Sequence, residues 1–171
     1  KVFMTGHGAQ QPLGLFTASN DGISTAYDIA TNNTDTAVTF DGLMEALYDL
    51  KEGYQSNSTW LFHRSAIKNI RKIKNGEGNY IWQSAVTGGN PAVILDRPYR
   101  TSEYCPNTFT TGKYVGIIGD FKYYWIIRRG VMAIQVLKEL YALTNQTGYI
   151  GRLEVDAMPV LGEAFRRVKL G

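Results

Sequence analysis

Cysteine is almost missing from this 171-residue chain. Cys105 stands alone, which excludes an internal disulfide, and no histidine or cysteine lies at metal-ligand spacing from it. That usage fits a reducing cytoplasm. Long hydrophobic runs are missing too: the longest, residues 123–127 and 131–137, fall far short of the roughly eighteen residues a membrane helix needs. Charge is sparse, at 19% of residues against a usual quarter or so. The 18 basic and 15 acidic residues leave a net charge of +3, too balanced for a clamp that binds nucleic acid by counterion release, and there is no basic tail or arm. The chain opens on Lys1-Val2-Phe3 with no initiator methionine and no signal-type apolar core, so the expectation is a segment from inside a longer protein. Three matches to the N-glycosylation pattern, at Asn32, Asn57 and Asn145, read as chance in an unsecreted chain.

What is abundant is apolar and aromatic. At 44% hydrophobic the chain can bury a real core, and 12% aromatics with eleven tyrosines leave material for contacts between molecules. Residues 1–40 are rich in Gly, Thr, Asn and Asp and read as a loop-rich lead-in with one or two short strands. Leu43, Ala46, Leu47 and Leu50 then recur at helical spacing, predicting a helix over 41–51 capped by Asp41. A buried strand over 59–62 follows. A second helix over 65–74, capped by Ser65, would turn Ile67, Ile70 and Ile73 inward and Lys68, Arg71, Lys72 and Lys74 outward.

After the turn at 75–78 the period changes. Strands are expected over 79–83, 92–95, 97–104, 114–118, 123–128 and 131–137, then one or two long strands over 148–171 broken near Pro159 and Gly162. Helices early and strands late argue for an α+β fold, helices on a mostly antiparallel sheet, rather than an alternating parallel one. The expected division is a lead-in over 1–40, an α+β domain over 41–140 and return strands over 141–171.

Chemistry is hard to find in this pattern. Gly6-His7-Gly8 and Gly116-Ile117-Ile118-Gly119 lack the full glycine fingerprint and the Lys-Ser/Thr of a nucleotide loop, so they read as turns. Cys105 and His63 could make a nucleophile and base only if brought together, with no orienting acid signalled. Asp120 after Gly119 reads as an Asx turn that fixes entry into the next strand. On that strand Tyr124 and Ile126 would face one way and Tyr123, Trp125 and Ile127 the other; one face must be core, leaving the second as an apolar surface in want of a cover. The pairs Arg128-Arg129 and Arg166-Arg167 sit at expected strand ends, as a solvated edge or as contacts to carboxylates of a neighbouring copy. Candidate interface residues are therefore Trp125, Arg128, Arg129, Arg166 and Arg167.

The order of motifs resembles the tailed-phage major capsid family of the Hong Kong 97 type. Gly6, Gly8, Pro12, Gly14 and Leu15 match its glycine-proline element, Trp60-Leu61-Phe62 its strand before a helix, and Gly78-Asn79-Tyr80-Ile81-Trp82 its aromatic stretch. Ile94, Pro98 and Tyr99 follow, and Gly119-Asp120-Phe121 with Tyr124 and Ile126 is similar to the family's Gly-Asp-Phe signature. The resemblance implies an axial domain plus C-terminal strands of the peripheral domain, with residues 164–169 as the closing strand and the family's spine helix before Lys1. It implies a structural subunit, not an enzyme, without cofactor, metal or small-molecule substrate. That subunit would assemble with copies of itself into pentamers and hexamers of a virion shell in the bacterial host cytoplasm, with packaged double-stranded DNA an indirect partner. An encapsulin-type compartment shares that fold and is the alternative, a cysteine-dependent hydrolase the alternative from another class; alkylation of Cys105 without loss of any activity would remove the latter.

Overall fold

A computed structural model describes residues 1–82, 93–137 and 142–171. Its elements in chain order are α1 (Val2–Thr5), β1 (Asp28–Ile29), α2 (Phe40–Tyr48), α3 (Glu52–Gln55), β2 (Thr59–Phe62), α4 (Arg64–Arg71), β3 (Val93–Ile94), β4 (Arg97–Thr101), β5 (Tyr114–Gly119), β6 (Tyr124–Leu137), β7 (Gly148–Pro159) and β8 (Phe165–Lys169). Six strands make one sheet in the order β1-β8-β5-β2-β4-β3, while β6 and β7 pair only with each other. Only β1 with β8 and β2 with β4 are parallel; the remaining pairs are antiparallel, as an α+β fold requires.

Strand alternation divides the core into two layers. Trp60, Phe62, Ile118 and Val168 point to the side covered by α2 and α4, where they meet Leu43, Leu47, Ile67 and Ile70. Leu61, Ile117 and Phe165 point to the other side, against Leu15, Phe16, Ile23 and Cys105 from the lead-in and the loop after β4. The buried stripe expected on the first helix is therefore present in full, Leu43, Ala46, Leu47 and Leu50 all being buried.

Both helix caps lie two residues before the expected ones. Thr39, not Asp41, caps α2: its hydroxyl accepts from the Gly42 amide at 3.0 Å, and Asp41 lies in the first turn instead. The helix ends at Tyr48, with α3 as a separate turn. His63, not Ser65, caps α4, its ring Nδ1 accepting from the Ser65 amide at 3.1 Å. Histidine is not a residue the capping rules look for, and the adjacent serine drew the assignment.

Residues 79–82 do not form the expected strand; Lys74 and Tyr80 make an isolated bridge, and residue 83 lies outside the described residues, as does residue 92 ahead of β3. The two strands expected over 123–128 and 131–137 are one, β6, paired with β7 through a register shift between Arg129 and Ala133. Gly130 sits in that bulge at φ 69°, a left-handed conformation that glycine adopts without a side-chain penalty. Strand β1, from the stretch 1–40, joins the six-stranded sheet through β8, and across residue 140 β6 pairs with β7 and β5 with β8. The break foreseen near Pro159 and Gly162 does separate β7 from β8.

Candidate subunit interface

The turn that leads into β6 is held by Asp120. Asp120 is buried, and its carboxylate accepts from the Lys122 amide at 3.0 Å, closing an Asx turn at the end of β5. Gly119 before it passes so near the neighbouring strand that a Cβ would lie 2.4 Å from the Ala164 carbonyl oxygen; only glycine fits. Tyr123 packs edge-on against Tyr54, centroids 5.4 Å apart. Tyr124 donates to the Leu13 carbonyl at 3.0 Å, tying the strand to the Gly6–Gly14 turn. Burial, with the Asp156 charge adding to it, pushes the Tyr124 phenol up to about 12.

Beyond Tyr124 the strand leaves the core. Trp125, Ile126 and Ile127 are all exposed, as are Val131, Met132, Ile134 and Val136 on β6 and Tyr149, Leu153 and Met158 on β7. The expectation that one face of this strand is core is thus wrong in a specific way: among the described residues β6 and β7 pack on each other and on little else. At about 3.3 Å per residue the ribbon is roughly 40 Å long, and a free two-stranded ribbon is marginal in water. Arg128 and Arg129 lie within it, not at a strand end, opposite Val155 and Glu154. Arg129 meets Glu154 at 3.4 Å with both side chains exposed; Arg128 has no ion pair among the described residues.

Arg166 and Arg167 belong elsewhere. They were expected at an edge or a subunit boundary, and both are buried within the chain. Arg166 is ion-paired with Asp49 and donates to the backbone oxygens of Asp49, Glu163 and Phe165, its guanidinium 4.9 Å from the Tyr27 ring. Arg167, 0% exposed, holds Asp28 at 2.7 Å and the Ser24 carbonyl at 2.9 Å, and stacks 4.6 Å from the Tyr114 ring. Tyr114 also donates to Asp28 at 2.8 Å; burial first, then that bond, raises its phenol above the ordinary value. Such a pair inside the sheet positions β1 against β8.

Burial pushes the Cys105 thiol up to about 11, opposite to what a nucleophile needs. Both ring nitrogens of His63 are engaged, one as the α4 cap and one 3.1 Å from Glu103. Among the described residues no cluster of His, Cys, Asp or Glu could hold a metal ion, and no helix is long and apolar enough to cross a membrane.

A six-stranded sheet with helices on one side and a long two-stranded arm projecting from it is the architecture of capsid subunits of the Hong Kong 97 type. The structure superposes on a chain described as the capsid of an empty GTA particle computed with C5 symmetry, with a TM-score of 0.81 and 19% identity, covering 99% of this chain and 60% of that one. The native GTA particle capsid gives 0.79 at 20% identity, covering 99% and 59%. A chain of Gordonia phage Cozz gives 0.63 at 14%, covering 99% and 57%. The chain thus spans less than two thirds of the length of these capsid chains. No curated protein sequence matches it. The Phage capsid family matches residues 1–170, and the chain belongs to that family.

Proposed function

We propose that this capsid-family subunit assembles with copies of itself into pentamers and hexamers of a closed virion shell that encloses double-stranded DNA, built in the host cytoplasm. The observation that carries the reading is the β6–β7 ribbon: apolar on both faces, with an unpaired arginine, and anchored at one end by Tyr124 to a well-packed sheet. Exposed apolar surface of this extent marks an interaction surface. In a shell, many modest contacts repeated by symmetry make the whole stable although each is weak. Trp125 supplies interface area, and Arg128 and Arg129 set register by charge. No step in this function needs a cofactor.

The test is a Trp125→Ala, Arg128→Ala, Arg129→Ala variant of the capsid protein, followed by electron microscopy of assembly and by thermal melting. Shells should be lost while the melting midpoint holds. Normal shells from the variant would overturn the assignment of the ribbon to a subunit boundary.

A further inference from the structure

The near-balanced charge of the chain conceals a concentrated positive face. Residues 64–74 contain five basic residues, Arg64, Lys68, Arg71, Lys72 and Lys74, and no acidic one. Strand β4 runs beside β2, whose end leads into α4, so Tyr99 and Thr101 lie alongside the helix. Together they line an open concavity of about 540 Å³ formed by Arg64, Ile67, Lys68, Arg71, Lys72, Tyr99 and Thr101. Among the described residues, no carboxylate lines it.

The cations in it differ in their engagement. Arg64 is paired with Glu103 at 3.1 Å. Arg71 donates to the Tyr99 hydroxyl at 3.0 Å and lies 4.8 Å from the Trp82 ring, so its guanidinium is positioned by neutral partners and, among the described residues, is not ion-paired. Lys68 and Lys72 are exposed and, among the described residues, their side chains have no hydrogen bond or ion pair. Lys68 sits three residues from Arg71 and four from Lys72, so the three cations are neighbours on one helical face and repel one another. A helix pays for such a face unless an external polyanion relieves the repulsion, and a row of backbone phosphates does so without needing any base contact.

We propose that the α4–β4 face binds the phosphate backbone of nucleic acid without regard to sequence, through Lys68, Arg71 and Lys72. This inference rests on the capsid reading above, under which such a face would be turned toward the enclosed genome and the DNA contact would be direct. An arginine held by Tyr99 and Trp82, beside two lysines with unengaged side chains and over a concavity, distinguishes this face from scattered surface lysines.

The test uses this chain and a fluorescein-labelled 20-base-pair duplex of arbitrary sequence, read by anisotropy from about 50 to 200 mM salt, the range over which phosphate contacts are lost. Binding should fall with salt, with Kd in the roughly micromolar to hundred-micromolar range near physiological salt. A Lys68→Glu, Lys72→Glu variant, its fold checked by circular dichroism, should bind at least about tenfold more weakly, with a slope of log affinity against log salt shallower by about two. Lys68→Ala, Lys72→Ala serves if the double glutamate variant unfolds. Absence of salt-dependent binding by the parent, or equal affinity and slope in the lysine variants, overturns the proposal. So does loss of self-association in the lysine variants with no DNA binding by the parent, which would assign the face to an acidic surface of another copy. The outcome is separable from the capsid reading: duplex binding without shell assembly keeps this inference and sinks that reading, and shell assembly without duplex binding does the reverse.

Discussion

The six-stranded sheet and the β6–β7 ribbon are built from similar residues and end in opposite states. In the sheet, Trp60, Phe62, Ile117, Ile118 and Val168 are all but fully buried, and even Arg167 is enclosed with its carboxylate. In the ribbon, Trp125 is 57% exposed and Val131 91% exposed, although isoleucine, valine and tryptophan are as frequent there. The difference is not in propensity but in what covers each face: the sheet has helices on one side and the lead-in on the other, the ribbon neither. Apolar content alone therefore says that a segment will be buried, not that it will be buried by its own chain.

The comparison breaks first, and with the largest effect, in the sheet. Trp60→Ala removes a ring that stacks on Phe62, centroids 5.4 Å apart, and donates its indole N–H to the Ile94 carbonyl at 3.1 Å. It should cost about 3–5 kcal/mol in denaturant unfolding. Asp28→Ala should cost about as much, because it strands the enclosed Arg167 charge. Loss of less than about 1 kcal/mol from either would mean that the sheet is no better packed than the ribbon. A smaller effect is expected where the two regions join: Asp120→Ala removes one turn bond and should cost on the order of 1 kcal/mol, with full-length assembly then affected through the aim of β6.

These joints were more legible than the surfaces they connect. The Gly119-Asp120 turn follows from local chemistry, glycine for close approach and a short carboxylate for the amide two residues on, and so did the buried stripe of α2. Arg166 and Arg167 were misread because a basic pair in a strand reads as an edge when its carboxylates, Asp49 and Asp28, lie more than a hundred residues away. The exposure of both ribbon faces was illegible for the same reason: alternation assigns sides, and only the tertiary structure says whether a side has a cover. The α4 face was visible as outward lysines at helical spacing, but Tyr99 and Thr101 join it only through the β2–β4 pairing.

Acid should sharpen the contrast further. Hydrogen bonding from Lys51, then from Tyr54, holds the Glu163 carboxyl below the ordinary carboxylate value. The same bond, with burial and the Glu163 charge behind it, raises the Tyr54 phenol. A depressed carboxylate contributes stability that is present above its unfolded value and is lost as pH falls through the folded one. The sheet unit should therefore lose this contribution on acidification through and below the ordinary carboxylate range, and a Glu163→Gln variant should show a flatter dependence of melting midpoint on pH there. Equal slopes for the two proteins would show that the Lys51–Glu163–Tyr54 contact is not maintained in solution.

The smallest effect is expected in the ribbon itself. Arg129 and Glu154 are directly cross-strand, and opposite charges there contribute roughly 0.2–1 kcal/mol at best. Their side chains are 87% and 69% exposed, so water screens the attraction and holding two long side chains in place offsets much of what remains. Glu154→Gln should then change the unfolding free energy by less than about 0.5 kcal/mol, with no added sensitivity to salt. Its consequence lies between copies: the substitution leaves Arg129, like Arg128, without a carboxylate among the described residues, and a boundary that relies on both arginines should tolerate or gain from the change. Shell yield from the capsid protein carrying Glu154→Gln, compared with that from Arg129→Ala, measures this. If Glu154→Gln destabilises the chain by more than about 1 kcal/mol, the ribbon holds itself together and needs no neighbour.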